Sequence, residues 1–266
     1  MSKRQNSLFA EVRRQEISEL VQREGKVTVN ALCERFSVSP ATVRTDLTEL
    51  EAMGALKRTH GGAIMVGNSA FELTSNEKRS HHIEAKAAIA KAALQYIRPG
   101  DAIAIDTGTT TMEFATMLTS IHNLTVVTNH VEIALFLEQN SDINVFLLGG
   151  IVRKQFHCTV GSFVTEELER LHIDTLFLAT NGLSLERGLS TPNVDVASIK
   201  HKMIEVSSRV VLLADKSKLE NSSFAYFAPI EDMDVIISNA DLEMELKEKP
   251  STSRIEFVHV DAPDEE

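Results

Sequence analysis

Residues 39–62 read Ser39-Pro40-Ala41-Thr42-Val43-Arg44-Thr45-Asp46-Leu47-Thr48-Glu49-Leu50-Glu51-Ala52-Met53-Gly54-Ala55-Leu56-Lys57-Arg58-Thr59-His60-Gly61-Gly62. Ser39 is a good helix N-cap and Pro40 suits the first helical position, so a helix is expected to begin there and to stop at Gly54. Val43, Leu47 and Leu50 recur at the spacing of a buried stripe, which turns Ala41, Thr45 and Thr48 to the opposite face with Arg44 at its flank. That face is small, polar and basic. Together with Ser39 and Thr42 at the helix start, it has the character of a surface that enters a DNA major groove, where an arginine donates to guanine edges or to phosphates.

Upstream, Ile17, Leu20, Val21 and Glu24 form one helical turn pattern and Ala31, Leu32 and Phe36 another, separated by Gly25 and the run Val27-Thr28-Val29. Three helices in this order suggest a winged helix-turn-helix. A strand beginning near Ala55 leads into Lys57-Arg58-Thr59-His60, and Gly61-Gly62 permits a tight wing turn. Lys57, Arg58 and His60 are then placed near a phosphate backbone. On spacing alone, a small helical bundle with solvated basic residues is the alternative. Asp46, at the buried edge, is expected to pair internally with Arg13 or Arg14, since an unpaired carboxylate beside phosphates is unfavourable.

The chain is longer than a usual single domain, and its charge is unevenly divided. Residues 1–65 carry ten Lys/Arg and eight Asp/Glu, leaving 17 and 30 of the chain's 27 and 38 for residues 66–266. Such a balance argues against non-specific coating of nucleic acid and for a local basic contact, with an acidic body held off the duplex. Cys33 and Cys158 lack the spacing of a disulfide or zinc framework, and the neighbours His81-His82 and His157-Cys158 rarely point at one ion. Neither metal nor cofactor is expected. The start has no apolar signal-peptide core and no apolar run approaches transmembrane length, so a cytoplasmic protein with no membrane partner is expected.

Four segments are expected: a winged helix-turn-helix over residues 1–65, a linker over 66–80, a larger second domain over 81–260, and an acidic tail over 261–266. Beyond His81 the pattern alternates helices, at Ala85–Ala93, after Thr109, at Glu132–Glu138 and near Val196–Ser207, with apolar strands. Strands are expected at Ala102–Ile105, Leu124–Val127, Val145–Leu148, Thr175–Ala179, Val210–Ala214, Asp234–Ile237 and Ile255–Val260. This alternation implies an α/β domain whose sheet is mostly parallel.

Asp106-Thr107-Gly108-Thr109-Thr110-Thr111 joins one such strand to a helix. Ligands bind at the carboxyl ends of parallel strands, and a helix N-terminus favours anions. The loop lacks the lysine of a nucleotide P-loop and the glycines of a dinucleotide motif. Read by itself, it serves equally as an ordinary threonine cap. Further strands run into Thr128-Asn129, Gly149-Gly150 and Asp215-Lys216-Ser217-Lys218. Asp106 and Asp215 are candidates to accept from sugar hydroxyls, and Arg153 and Lys218 to neutralise a phosphate.

Arg13, Ile17 and Val21, then Ser39, Thr42, Val43, Arg44, Asp46 and Leu47, then Gly54, Arg58 and His60-Gly61-Gly62 resemble the signature of the DeoR/GlpR family of bacterial transcriptional regulators. Arg153, Gly161, Gly182, Gly188 and Lys200 match the sensor domain of that family, and the likeness runs through nearly the whole chain. It implies a sensor fold related to ribose-5-phosphate isomerase and CoA-transferases, a phosphorylated sugar or related metabolite as effector, double-stranded operator DNA as partner, and a homo-oligomer of at least two chains. The expected function is repression of a carbohydrate-catabolic operon, with no enzymatic activity and no catalytic residues. The competing reading is a sugar-phosphate isomerase-like enzyme with an accessory N-terminal domain. Two departures stand out: Thr45 occupies a position more often basic or amide, and Val196 stands where a glutamate is usual, leaving Asp195 as the nearby candidate for effector contact. Loss of that glutamate argues against isomerase chemistry, which needs a positioned base.

Overall fold

A computed structural model describes residues 3–262 apart from 54, 60, 66–71, 220 and 249. The chain divides into two compact units, residues 1–71 and 72–266. In the first, α1 (Lys3–Glu24), β1 (Lys26–Thr28), α2 (Val29–Phe36) and α3 (Pro40–Ala52) are followed by β2 (Leu56–Thr59) and β3 (Gly62–Met65). The strands form an antiparallel sheet in the order β1-β3-β2. Thr28 caps α2 by accepting from the Ala31 amide, and Ser39 caps α3 by accepting from that of Thr42. Ile17, Val21, Leu32, Val43, Leu47 and Leu56 close one core. The pairing of β3 with β1 depends on a glycine at 62, where a Cβ would fall 1.8 Å from the Val27 carbonyl oxygen. This is a winged helix-turn-helix. His60 and Gly54 lie outside the described residues.

The second unit is built on seven parallel strands: β4 (Ala102–Ile105), β5 (Thr125–Thr128), β6 (Asn144–Leu147), β9 (Thr175–Ala179), β12 (Val210–Leu213), β14 (Val235–Ser238) and β15 (Glu256–His259). Their order is β15-β14-β12-β9-β4-β5-β6. Alternate side chains of each inner strand enter two separate cores: Ala104, Leu176, Leu178 and Leu212 one, and Ile103, Ile105, Phe177 and Leu213 the other. Both faces are therefore dry, which explains why these strands read as continuous apolar runs. The second core includes residues of α5 (Ile83–Ala93), α6 (Thr109–Thr116) and α7 (Val131–Asn140); the first includes residues of α8 (Ser162–Leu168), α9 (Val194–Glu205) and α10 (Glu243–Glu248). Two smaller antiparallel pieces complete the unit: the pair β7 (Ile151–Arg153) and β8 (Cys158–Val160), and a sheet of β10 (Gly182–Ser184), β11 (Gly188–Thr191) and β13 (Ala225–Ala228).

One departure from sequence expectation matters. Residues 72–80, expected as linker, belong to the second unit and contain α4 (Ser75–Arg79), opened by a capping box in which Thr74 and Glu77 satisfy each other's backbone amides. Residues 66–71 of that linker, and residues 263–266 of the expected acidic tail, lie outside the described residues. No helix among the described residues is long and apolar enough to cross a membrane.

Candidate functional site

In the first unit Ala41, Arg44, Thr45 and Thr48 are exposed on α3, as are Glu49, Glu51 and Ala52 toward its end, with Thr42 half-buried and Ser39 exposed at its start. Asp46 sits beneath it, 3% exposed, held by Arg13 through both oxygens at 2.6 and 3.1 Å. Arg14 pairs instead with Glu49. The hydroxyls of Thr45 and Thr48 fold back onto the carbonyls of Ala41 and Arg44, which keeps this face low. Lys57 is exposed on β2. Arg58 is not an independent wing cation: its guanidinium donates to Thr48 at 2.9 Å, and its amide to Glu51 at 2.7 Å. The wing and the helix thus present one surface.

In the second unit, the strand order contains a reversal. From β4 the chain proceeds outward through β5 and β6; from β9, beside β4, it proceeds the other way through β12, β14 and β15. Such a switch point opens a crevice at the carboxyl ends of the two central strands. Asp106 follows β4 there and is 0% exposed; its Oδ2 accepts from the Ala179 amide at 3.0 Å and pairs with Lys200, itself 2% exposed. Lys200 also donates to the Ala179 carbonyl at 2.9 Å. A Cβ on Gly108 would lie 2.9 Å from that of Ala179, so only glycine allows this close approach. At the start of α6 the amides of Thr109, Thr110 and Thr111 precede the first intrahelical bond, from Met112 to Gly108, and no side chain caps them.

Several expected contacts are already spent within the fold. Thr111 donates to the Gly108 carbonyl and Thr128 to that of Ile105. Gly149 gives its amide to Glu167 at 2.8 Å, and Gly150 serves packing, since a Cβ there would meet the Val160 carbonyl at 2.7 Å. Asp195 is exposed in the first turn of α9 and forms no hydrogen bond or ion pair with the buried cluster; Asn193 caps that helix, and Val196 is part of the core. Other groups stay open. Asp106 Oδ1, Asn129 Oδ1 and Asp215 Oδ2 are buried without a hydrogen-bond partner, an unusual concentration of orphan acceptors at one sheet edge. Asp215 Oδ1 accepts from the Ser217 amide, and Lys218 lies 3.4 Å from Oδ2. Burial pushes the Asp215 carboxyl up, but Lys218 and Ser217 more than offset it and hold it below the usual carboxylate range.

Sequence reasoning missed Glu72, Lys78, Asn181 and the Thr107–Cys158 contact. Glu72 joins Lys78, Arg153 and Asn181, and Cys158, whose thiol burial pushes up, feels Arg153, Asp106 and Lys200. The one available signal was Thr74-x-x-Glu77, which marks 72–80 as structure rather than linker. Among the described residues no group of three His, Cys, Asp or Glu could hold a metal ion.

Comparison with known proteins bears on both units. Residues 13–68 match the DeoR-like helix-turn-helix domain and residues 81–240 the DeoR C terminal sensor domain. The chain is 37% identical to the HTH-type transcriptional regulator GlpR of Haloferax volcanii, over 92% of this chain and 96% of that protein. It is 33% identical to the transcriptional repressor AccR of Agrobacterium fabrum, over 92% of this chain and 96% of that one, and 33% identical to a putative aga operon transcriptional repressor of Escherichia coli O157:H7, over 85% and 84%. Among solved structures, a D-ribose-5-phosphate isomerase in complex with phospho-erythronic acid covers 50% of this chain and 52% of its own at 18% identity and a TM-score of 0.38, which is too remote to bear on function. With both halves matched and relatives aligned nearly end to end, the chain belongs to the DeoR family of DNA-binding transcription regulators and is not an enzyme.

Proposed function

We propose that this regulator represses a carbohydrate-catabolic operon, and that a phosphorylated sugar bound at the strand ends of the sensor unit relieves the repression. The observation that carries this reading is the β4/β9 switch point, where the buried Asp106–Lys200 pair, the orphan oxygens of Asp106, Asn129 and Asp215 and the uncapped start of α6 all lie at the carboxyl ends of the parallel strands. The first-turn amides of α6, with the Thr109 and Thr110 hydroxyls, take the phosphate, and the orphan carboxylate oxygens accept from sugar hydroxyls. Of the three relatives above, two carry the name of repressor, one of them that of a putative repressor of the aga operon. On DNA, Arg44 and the small residues Ala41, Thr45 and Thr48 read base edges, while Lys57, Arg58, His60, Ser39 and Thr42 hold the backbone. One such head covers a short half-site, so two or more chains act together on repeated half-sites.

Thermal-shift and calorimetric measurements with pentose and hexose phosphates, each beside its unphosphorylated sugar, test the effector class. At least one phosphorylated sugar is expected to bind and its parent sugar to bind poorly; equal binding of both would remove the phosphate from the reading. Sedimentation at micromolar concentration is expected to show a dimer or larger, and a monomer both free and on DNA would overturn the assembly.

A further inference from the structure

The cations beside the strand-end crevice are occupied by a carboxylate of the chain itself. Glu72 is 9% exposed at its side chain; Oε1 accepts from Lys78 at 2.7 Å and from Asn181 at 3.3 Å, and Oε2 from Arg153 at 2.8 Å. Burial pushes this carboxyl up, yet Lys78 and Arg153 outweigh it and hold Glu72 ionised below the usual range. The pocket is built independently of Glu72. Arg153 lies 3.7 Å over the Phe156 ring, Asn181 is fixed by Thr191, and the Ser75 amide donates to the Gln155 carbonyl at 3.1 Å. Lys78 in turn feels the charges of Lys200 and Lys218, so these residues share one field with the Asp106 crevice.

Four cations, Lys78, Arg153, Lys200 and Lys218, here face three carboxylates, Glu72, Asp106 and Asp215. If Glu72 withdraws, two positive charges are left uncompensated, which matches the roughly −1.5 to −2 carried by a phosphate monoester near neutral pH. A phosphate also offers three acceptor oxygens where the carboxylate offers two, and it suits the arginine fork at least as well. Glu72 is moreover the first residue of the sensor unit after the stretch that joins it to the DNA-binding unit.

We infer that Glu72 is a built-in anion that holds Lys78, Arg153 and Asn181 in the absence of effector, and that the effector's phosphate, set between these groups and the first-turn amides of α6, displaces it and so loosens residues 72–79. This rests on the effector reading above and supplies its switch: a ligand moves an equilibrium only by binding one state better, and here the two states differ in which anion the pocket holds. Competition has a signature that a purely structural Glu72 lacks. Neutralising a competitor tightens anion binding, whereas removing a structural strut weakens it.

Calorimetry with inorganic phosphate on the full-length chain reads this directly. The Glu72→Gln protein is expected to bind phosphate at least about fivefold more tightly than wild type, within the usual range of such couplings, and the double variant Glu72→Gln/Arg153→Ala to lose that gain. Equal or weaker binding by Glu72→Gln, no binding by it, or a gain that survives Arg153→Ala would each overturn the inference. Should Glu72→Gln fail to fold, hydrogen exchange of the wild-type amides at 72–79 decides: phosphate should accelerate it, and unchanged exchange overturns displacement. The effector reading stands or falls separately, on whether sugar phosphates alter operator binding by the wild-type protein.

Discussion

Asp46 in the first unit and Asp106 in the second are both buried against a cation, and the two pairs are finished differently. In the winged helix, Asp46 gives both oxygens to the planar fork of Arg13 and leaves nothing open. In the sensor, Asp106 meets Lys200, a point charge on a flexible stem, shares one oxygen between that ammonium and the Ala179 amide, and leaves Oδ1 without a partner. A carboxylate completed by the fold is a structural device. One left half-satisfied in a dry crevice, with two more orphan acceptors along the same sheet edge, marks where something from outside completes the bonding.

The largest effect that sharpens this contrast is expected from Lys200→Met. It strands Asp106 as a buried unpaired charge, and breaking such a pair costs about 3–5 kcal/mol. Denaturant unfolding of the second unit checks it; a loss near zero would mean that the crevice is wetter than its burial implies.

Acid should act next, and through the sensor unit. His130 caps α7 by accepting from the Ile133 amide, and burial lowers its pKa from 6.5 to about 4. Between those values the unfolded chain takes up a proton that the folded one refuses. The stabilisation is therefore fully present above pH 6.5 and is lost as the pH falls toward 4. Each unit of displacement is worth about 1.4 kcal/mol, so the loss is on the order of 3 kcal/mol. His130→Asn, which keeps a capping oxygen, should flatten that dependence; an unchanged slope would assign it elsewhere.

Asp46→Ala follows at about 1–3 kcal/mol, because the partner left behind, Arg13, keeps some access to water. Its operator and random-DNA affinities should fall together, through loss of fold. Arg44→Ala should do the opposite. It is exposed on α3, so stability should hold while operator binding weakens by about 1–3 kcal/mol and random-DNA binding stays nearly level. Parallel loss on both DNAs would exclude base reading by Arg44, and specific loss in Asp46→Ala would erase the distinction between the two pairs.

Legibility in the sequence differed between the units for a physical reason. The winged helix is held by local chemistry, such as the Ser39 cap and the stripe of Val43, Leu47 and Leu50, and these can be read in order along the chain. Inner strands such as Ala102–Ile105 and Val210–Leu213 were equally plain, because burial on both faces forces uninterrupted apolar runs. The strands β7, β8, β10 and β11, three or four residues interrupted by polar or glycine positions, carry no such run and were missed, as was β13. At the site, Asp106 was found from its strand-end loop. Its partner Lys200, 94 residues away, entered through family resemblance, since no spacing rule links residues joined only by tertiary packing. Glu72 was lost in a stretch read as linker. The inward turns of Thr111 and Thr128 could not be told from composition, as a hydroxyl serves a backbone carbonyl or a ligand equally well.

The measurement that bears most directly on control by the strand-end crevice is a fluorescence-anisotropy titration of the protein–operator complex with the sugar phosphate that binds, using an operator recovered from random duplexes by selection. Wild-type protein should lose operator affinity by roughly 5–150-fold, the span of an ordinary coupling between two sites. Thr110→Glu, which places a negative charge at the start of α6, should keep operator binding and lose the response. A Thr110→Glu protein that binds the sugar phosphate and releases DNA as wild type does would contradict the placement of the effector at the β4/β9 switch point.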